Sequence, residues 1–318
     1  GRVWATEPNA ELPIKLGAGG VSSRAPMTVF EMFKKCVKNH GEKSALKYKD
    51  ISQGLEADDG PWTTLTWSQY YIECLRFGKS LLSLGFMPHR CINTIGFNAP
   101  EWFIANQGAI AAGGIAVGIY TTNLSEACQY ITNHSEAEVV VVEDQLQLNK
   151  FAKASSKLKS VKAIVMYKGD VPEGLDCDFP VYTWAQFMEL GKDIQNASIN
   201  ERIEAQRPGQ ACSLIYTSGT TGPPKAVMVS HDNITWTSYV LCKSLNQTSS
   251  ERSVSYLPLS HIAAQVMDLY APMAIGSTVY FAQPDALKGS LVKTLKAVRP
   301  TMFFGVPRVR SDTPRGKL

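Results

Sequence analysis

The run Tyr216-Thr217-Ser218-Gly219-Thr220-Thr221-Gly222-Pro223-Pro224-Lys225 gathers four Ser/Thr hydroxyls, two glycines, two prolines and one lysine in ten residues. Hydroxyls and backbone N–H groups donate hydrogen bonds, glycine lets the backbone close on a ligand, and lysine adds a point charge. That combination suits a polyphosphate. Pro223 and Pro224 limit the loop's freedom and so lower the entropy lost on ordering it. An ordinary polar turn needs one Gly or Pro, not this density of donors. Residues 212–216 and 226–230 on either side are strand-like, so the loop joins two strands. A Walker loop instead joins a strand to a helix and requires Gly-Lys-Ser/Thr. Here two prolines separate Gly222 from Lys225, and Ala226 follows.

His261 is the second candidate, inside Tyr256-Leu257-Pro258-Leu259-Ser260-His261-Ile262-Ala263-Ala264-Gln265. A single histidine serves structure more often than chemistry, so the residue type leaves both roles open. His231, in Ser230-His231-Asp232-Asn233, is assigned no chemistry; Ser230 or Asp232 caps the helix that follows. Trp236 and Tyr239, three apart, read as core.

The elements that must position these residues are α/β in character. Thr28-Val29-Phe30-Glu31 has the form of a capping box, and Phe30, Phe33 and Val37 recur at helical spacing. Thr66-Trp67-Ser68-Gln69 opens a second helix, which Gly85 is placed to close. Asn98-Ala99-Pro100-Glu101 opens a third with proline in its first turn. Short apolar runs at 92–97, 115–120, 139–142, 161–167, 214–216, 254–257, 278–281 and 302–306 read as strands. Most are separated by helix-length amphipathic segments, which predicts mostly parallel sheets flanked by helices. Residues 46–62 read as a surface hairpin or loop. Residues 1–25 read as a flexible lead or extended edge segment, and 308–318 as a polar tail.

Composition excludes several function classes. Hydrophobic content of 44% and charged content of 19% are ordinary for a globular chain of 318 residues. A net charge of +4, with no basic block interleaved with aromatics, gives nucleic acid no footprint. The apolar stretch 109–120 is too short to span a bilayer, so no transmembrane segment is expected. Seven scattered cysteines, none in Cys-x-x-Cys or at zinc spacing, fit reduced thiols. The sequons at Asn123, Asn133, Asn196, Asn233 and Asn246 read as chance.

Residues 217–225, Thr-Ser-Gly-Thr-Thr-Gly-Pro-Pro-Lys, resemble the phosphate-binding signature of the adenylate-forming superfamily. That group includes acyl-CoA synthetases, luciferases and the adenylation domains of peptide synthetases. Leu257-Pro258-Leu259-Ser260-His261 is similar to a core motif of long-chain acyl-CoA synthetases. The Ile262-Ala263-Ala264-Gln265 continuation, with Gly96-Phe97-Asn98-Ala99-Pro100-Glu101-Trp102, resembles the bubblegum-type branch. The resemblance implies ATP-dependent activation of a long-chain fatty acid through an acyl-adenylate to its coenzyme A thioester. ATP with Mg2+, the fatty acid and coenzyme A are the implied cofactors and partners. Thr217, Ser218, Gly219, Thr220, Thr221, Gly222, Pro223, Pro224 and Lys225 would hold the β- and γ-phosphates. Lys225 would also offset charge on the leaving pyrophosphate, and His261 would orient the carboxylate. No residue is assigned as a resident metal ligand.

The implied location is the cytoplasm, open to peripheral contact with the endoplasmic reticulum or another intracellular membrane. The implied organisation is an AMP-binding domain over 26–307, incomplete, with the family's later acidic motif, ribose motif and C-terminal lid absent. Two alternatives stay open. One is a catalytically inactive truncated fragment that at most binds nucleotide or a partner. The other is adenylation of a non-fatty acid.

Overall fold

Three helices start where local sequence places their caps. The computed structural model describes residues 4–49, 60–217 and 223–305. In α1 (Val29–His40), Thr28 Oγ1 accepts from Glu31 N at 3.2 Å, and the Glu31 carboxylate accepts from Thr28 N at 2.6 Å. β1 (Ser44–Tyr48) and β2 (Thr63–Thr66) then pair antiparallel. The pair brackets the 46–62 segment read as a surface hairpin or loop, with β2 beginning after it; residues 50–59 lie outside the described residues. The Thr66/Gln69 capping box opens α2 (Trp67–Ser83). Gly85, at φ +67°, closes it: Gly85 N donates to Leu82 O at 2.9 Å and Phe86 N to Leu81 O at 3.1 Å. This double bond pattern needs the left-handed backbone that glycine adopts without strain.

The parallel framework follows. It comprises β3 (Cys91–Ile95), α3 (Pro100–Ala111), β4 (Ile115–Ile119), α4 (Ser125–His134), β5 (Ala137–Val142), α5 (Gln145–Ala152) and β6 (Ala163–Met166). β7 (Val181–Thr183), α6 (Trp184–Leu190) and α7 (Asn196–Glu204) come next. β8 (Ala211–Thr217) and β9 (Lys225–Ser230) precede α8 (His231–Ser244). The last described part holds β10 (Arg252–Ser255), α9 (Ile262–Gln265), a π-helical turn Val266–Tyr270, α10 (Ala271–Ile275), β11 (Thr278–Phe281) and α11 (Leu291–Val298).

Among the described residues these strands make two sheets, ordered β7-β6-β5-β3-β4-β8-β9 and β10-β11-β1-β2. Every pairing is parallel except β8/β9 and β1/β2, each at one edge of its sheet. The mostly parallel α/β architecture expected from sequence is therefore observed. Strand alternation divides the core. Val139, Val141 and Val165 face a cluster with α1, α2, α3 and the inner face of the smaller sheet. Val140, Val142 and Ile164 face α4 and α5. Successive strand residues point to opposite faces, so near-continuous valine runs fill both. α3 lies between the sheets and is buried at every position but Glu101, which explains its all-round apolar sequence.

Two expectations need correction. Residues 302–305 form no strand: Thr301 N and Met302 N both donate to Arg252 O, at 3.0 and 3.2 Å. Two donors on one carbonyl turn the chain instead of starting a ladder. Phe303 then stacks on Tyr256 at 5.6 Å, and Val306 lies outside the described residues. Trp236 is not core. It is 37% exposed, and its indole N–H donates to Val21 O at 3.2 Å. Its helical spacing matched the core face, but the neighbour it meets is the 4–25 segment.

Candidate functional site

The glycine-rich loop closes a hairpin. Thr217 stands opposite Lys225, Tyr216 opposite Ala226 and Leu214 opposite Met228. The expected strand–loop–strand setting is therefore correct. Thr217, Pro223 and Lys225 are exposed, and Pro224 is half-buried. Ser218, Gly219, Thr220, Thr221 and Gly222 lie outside the described residues. Beneath the hairpin, Tyr216 is buried and its hydroxyl lies 2.8 Å from His134 Nδ1. Burial pushes the Tyr216 phenol well up, so it stays protonated. Tyr130 Oη donates to Pro224 O at 3.2 Å.

The 256–261 segment reaches the same end of the larger sheet. A Cβ on Gly118, in β4, would stand 2.8 Å from Ser260 Cα and 3.3 Å from Leu259 O. Glycine is required for this backbone approach. β4 pairs with β8, whose end launches the loop. Residues 259 and 260 and the start of the glycine-rich loop thus stand toward the carboxyl ends of adjacent parallel strands, the usual ligand position in open α/β sheets.

Side chains fix the segment from three sides. Asn98 Nδ2 donates to Leu257 O at 2.9 Å and to Ser255 Oγ at 2.8 Å. Gln265 Nε2 donates to Leu259 O at 2.7 Å. His261 Nδ1 accepts from Ala263 N at 3.1 Å and so caps α9. That bond puts the neutral ring's proton on Nε2, and the residue is exposed. Of the two roles the sequence left open, the structural one is observed, at Nδ1. Ser260 Oγ and Gln265 Oε1 are buried without a hydrogen-bond partner among the described residues. Unmet buried polar atoms are costly, and they mark where water or a ligand belongs.

Asp268 lies within the π-helical turn, 6% exposed. Desolvation pushes its carboxyl up to about 7, opposed by a hydrogen bond with Ser255. His231, given no chemistry, is buried; its Nδ1 accepts from Val29 N at 3.2 Å, and burial lowers it to about 3. Ser230 is the residue that caps α8. A separate cavity of about 260 Å3 lies among Phe97, Asn98, Glu143, Tyr167, Lys168 and Phe281. The sequence-predicted residues do not line it, and Glu143 there is engaged by Lys168 at 3.7 Å and Phe97 N at 2.8 Å.

Residues 33–312 match the model of the AMP-binding enzyme family. The chain belongs to that family. An AMP-binding enzyme at 45% identity over 312 residues is the long-chain-fatty-acid–CoA ligase ACSBG2 of Xenopus laevis, covering 97% of this chain and 41% of the relative. ACSBG2 of Homo sapiens is 44% identical over 310 residues, 97% of this chain and 45% of the relative. ACSBG1 of Bos taurus is 42% identical over 311 residues, 96% and 41%. The chain thus spans about two fifths of the length of these relatives. Among solved structures, the anthranilate CoA ligase AuaEII in complex with anthranoyl-AMP superposes with a TM-score of 0.72 at 22% identity, over 90% of this chain and 51% of that one. O-succinylbenzoate coenzyme A synthetase (MenE) of Bacillus subtilis, in complex with AMP, gives 0.66 at 18%, over 90% and 50%. These likenesses show the AMP-binding enzyme fold.

Sequence reasoning missed Tyr130, His134, Gln265 and Asp268 as site residues, and used Asn98 only as part of a helix start. Gln265 and Asn98 stood inside quoted segments, so their place was visible but their carbonyl partners were not. Tyr130 and His134 are four apart on a helix, which signals a shared face and nothing about the loop they meet.

Proposed function

We propose that this chain supplies the nucleotide and carboxylate machinery for ATP-dependent activation of a long-chain fatty acid. The carboxylate attacks the ATP α-phosphate, giving acyl-adenylate and pyrophosphate. Coenzyme A thiolate then attacks the acyl carbonyl, giving the thioester and AMP. The observation that supports the reading is that residues 259 and 260 lie against Gly118 in β4, the strand beside β8, whose end leads into the 217–225 loop. Identity of 42–46% to long-chain-fatty-acid–CoA ligases supports the choice of acid.

Such chemistry is mostly positioning and charge neutralisation. The 217–225 loop would hold the β- and γ-phosphates, with Lys225 offsetting charge on the leaving pyrophosphate. Mg2+ would enter with the nucleotide, since it prefers phosphate oxygens and keeps several waters. His261 Nε2–H and the Ser260 hydroxyl, which has no partner among the described residues, would be the donors to the carboxylate. The AMP-binding domain is proposed to cover 26–307. No helix among the described residues is long and apolar enough to cross a membrane. A cytoplasmic site, with peripheral contact at an intracellular membrane where fatty acid partitions, completes the proposal.

A second reading is nucleotide binding without turnover. Exchange of labelled pyrophosphate into ATP separates the two. Exchange that requires palmitate, and not an aryl or amino acid, supports the activation reading. Saturable MgATP binding without exchange supports the second. Exchange driven by an aryl or amino acid overturns the fatty-acid assignment.

A further inference from the structure

We propose that Asp268 is a positioning residue that acts through Ser255 and Asn98 to hold the 257–261 segment where Ser260 and His261 can meet a carboxylate. The proposal rests on the reading of those two residues as carboxylate donors. Asp268 is buried, forms no ion pair among the described residues and hydrogen-bonds with Ser255. Burying a carboxyl without a charge partner is costly, so packing alone does not account for it. Asp268 stands midway in the π-helical turn Val266–Tyr270, a rare geometry that recurs at functional sites. The turn is itself anchored, since Tyr270 Oη donates to Asn106 Oδ1 of α3 at 3.2 Å.

Donor and acceptor roles run one way along these contacts. The Asn98 amide carries two N–H groups. One donates to Ser255 Oγ at 2.8 Å and the other to Leu257 O at 2.9 Å. Ser255 Oγ accepts that bond and keeps its own O–H to donate to an Asp268 oxygen. Hydrogen bonds aligned in this way polarise and strengthen one another. Ser255 ends β10 of the smaller sheet and Asn98 follows β3 of the larger, so the series ties both sheets to the π-helical turn. Asp268 thus fixes the Asn98 amide, and the amide fixes Leu257 O. Gln265, directly before the turn, holds Leu259 O at 2.7 Å. The two holds flank Pro258, and His261 N closes the segment by donating to Pro258 O at 3.1 Å.

The test uses the chain itself, with amide hydrogen exchange and palmitate-dependent pyrophosphate exchange. Asp268→Leu fills the space and removes the acceptor, and Ser255→Ala breaks the series at its middle. Each should speed amide exchange at Leu259, Ser260 and His261 about fivefold, the scale of one lost hydrogen bond. The double variant should be no worse than either alone, because the two residues act in series. Asp268→Asn, which keeps an acceptor oxygen, should match the unaltered chain. Amide exchange in β5 and β6 should not move. The palmitate concentration giving half the maximal pyrophosphate exchange should rise about fivefold in both single variants, and that of MgATP should stay the same; a mere loss of folded protein would move neither. Unchanged amide exchange at 259–261 in both single variants overturns the proposal. So do additive effects in the double variant, or an Asp268→Asn as loose as Asp268→Leu. Faster amide exchange with an unchanged palmitate constant overturns the carboxylate role. Absence of pyrophosphate exchange in the unaltered chain overturns the activation reading and the carboxylate role with it, while the amide result decides the hold on the segment by itself.

Discussion

His261 separates a local structural duty from an available chemical group on one ring. Its Nδ1 accepts from Ala263 N, so His261→Ala removes a helix cap as well as Nε2. Losing such a cap costs about 0.5–2 kcal/mol. His261→Asn should keep the cap through its side-chain oxygen and remove Nε2. It is expected to melt like the unaltered protein while palmitate-dependent pyrophosphate exchange falls at least tenfold. If His261→Asn exchanges normally and His261→Ala is merely less stable, the ring is a cap and nothing more. At this scale the sequence was informative wherever a residue's chemistry is local. Ser230 and Thr28 cap the helices beside them, and Lys225 stands at the loop's end. Asp268 was illegible because its burial is set by β10 and by the π-helical turn it occupies, not by its neighbours in sequence.

At the scale of elements, the adjacency of β4 and β8 sets both motifs at one end of the larger sheet. The sequence predicts both strands from their apolar runs, but not that they are adjacent. Nor does it predict that Gly118 lets residues 259 and 260 lie against β4. Gly118→Ala would force a Cβ to 2.8 Å from Ser260 Cα, so backbone must shift. Overpacking of this kind costs about 1–3 kcal/mol. Urea unfolding should show a lower midpoint with an unchanged slope; an unchanged midpoint would mean that this approach is not close in solution. The short strands β1, β2 and β7 escaped the sequence reading because they run three to five residues with mixed burial. Their strand character comes from partners distant in sequence, such as β11 beside β1. Residues 302–305 fail in the opposite sense: they are apolar and β-prone, yet two of the N–H groups at their start share Arg252 O.

For the whole molecule, burial of Asp268 ties stability to pH. Its carboxyl ordinarily ionises near 3.8 and is pushed up to about 7 in the fold. A raised carboxyl favours folding while protonated. That contribution is complete below about pH 4 and is lost as pH rises to about 7. Asp268→Asn stays neutral throughout. Its stability relative to the unaltered chain should therefore grow between pH 4 and 7 by a few kcal/mol, at about 1.4 kcal/mol per pH unit, and then level off. Denaturant titrations at pH 4.5, 6 and 8 check this, and a pH-independent difference would mean that Asp268 ionises as freely as in the unfolded chain. The central claim concerns the same molecule as a binder of nucleotide: the hairpin between Thr217 and Lys225 holds the phosphates of ATP. Equilibrium titration of the chain with MgATP, beside Lys225→Ala, tests it most directly. Removing one preorganised cation from a phosphate site costs about 2–4 kcal/mol. The account predicts saturable MgATP binding that Lys225→Ala weakens at least tenfold with no change in melting temperature. Equal affinity in the two proteins, or no binding by either, would contradict it.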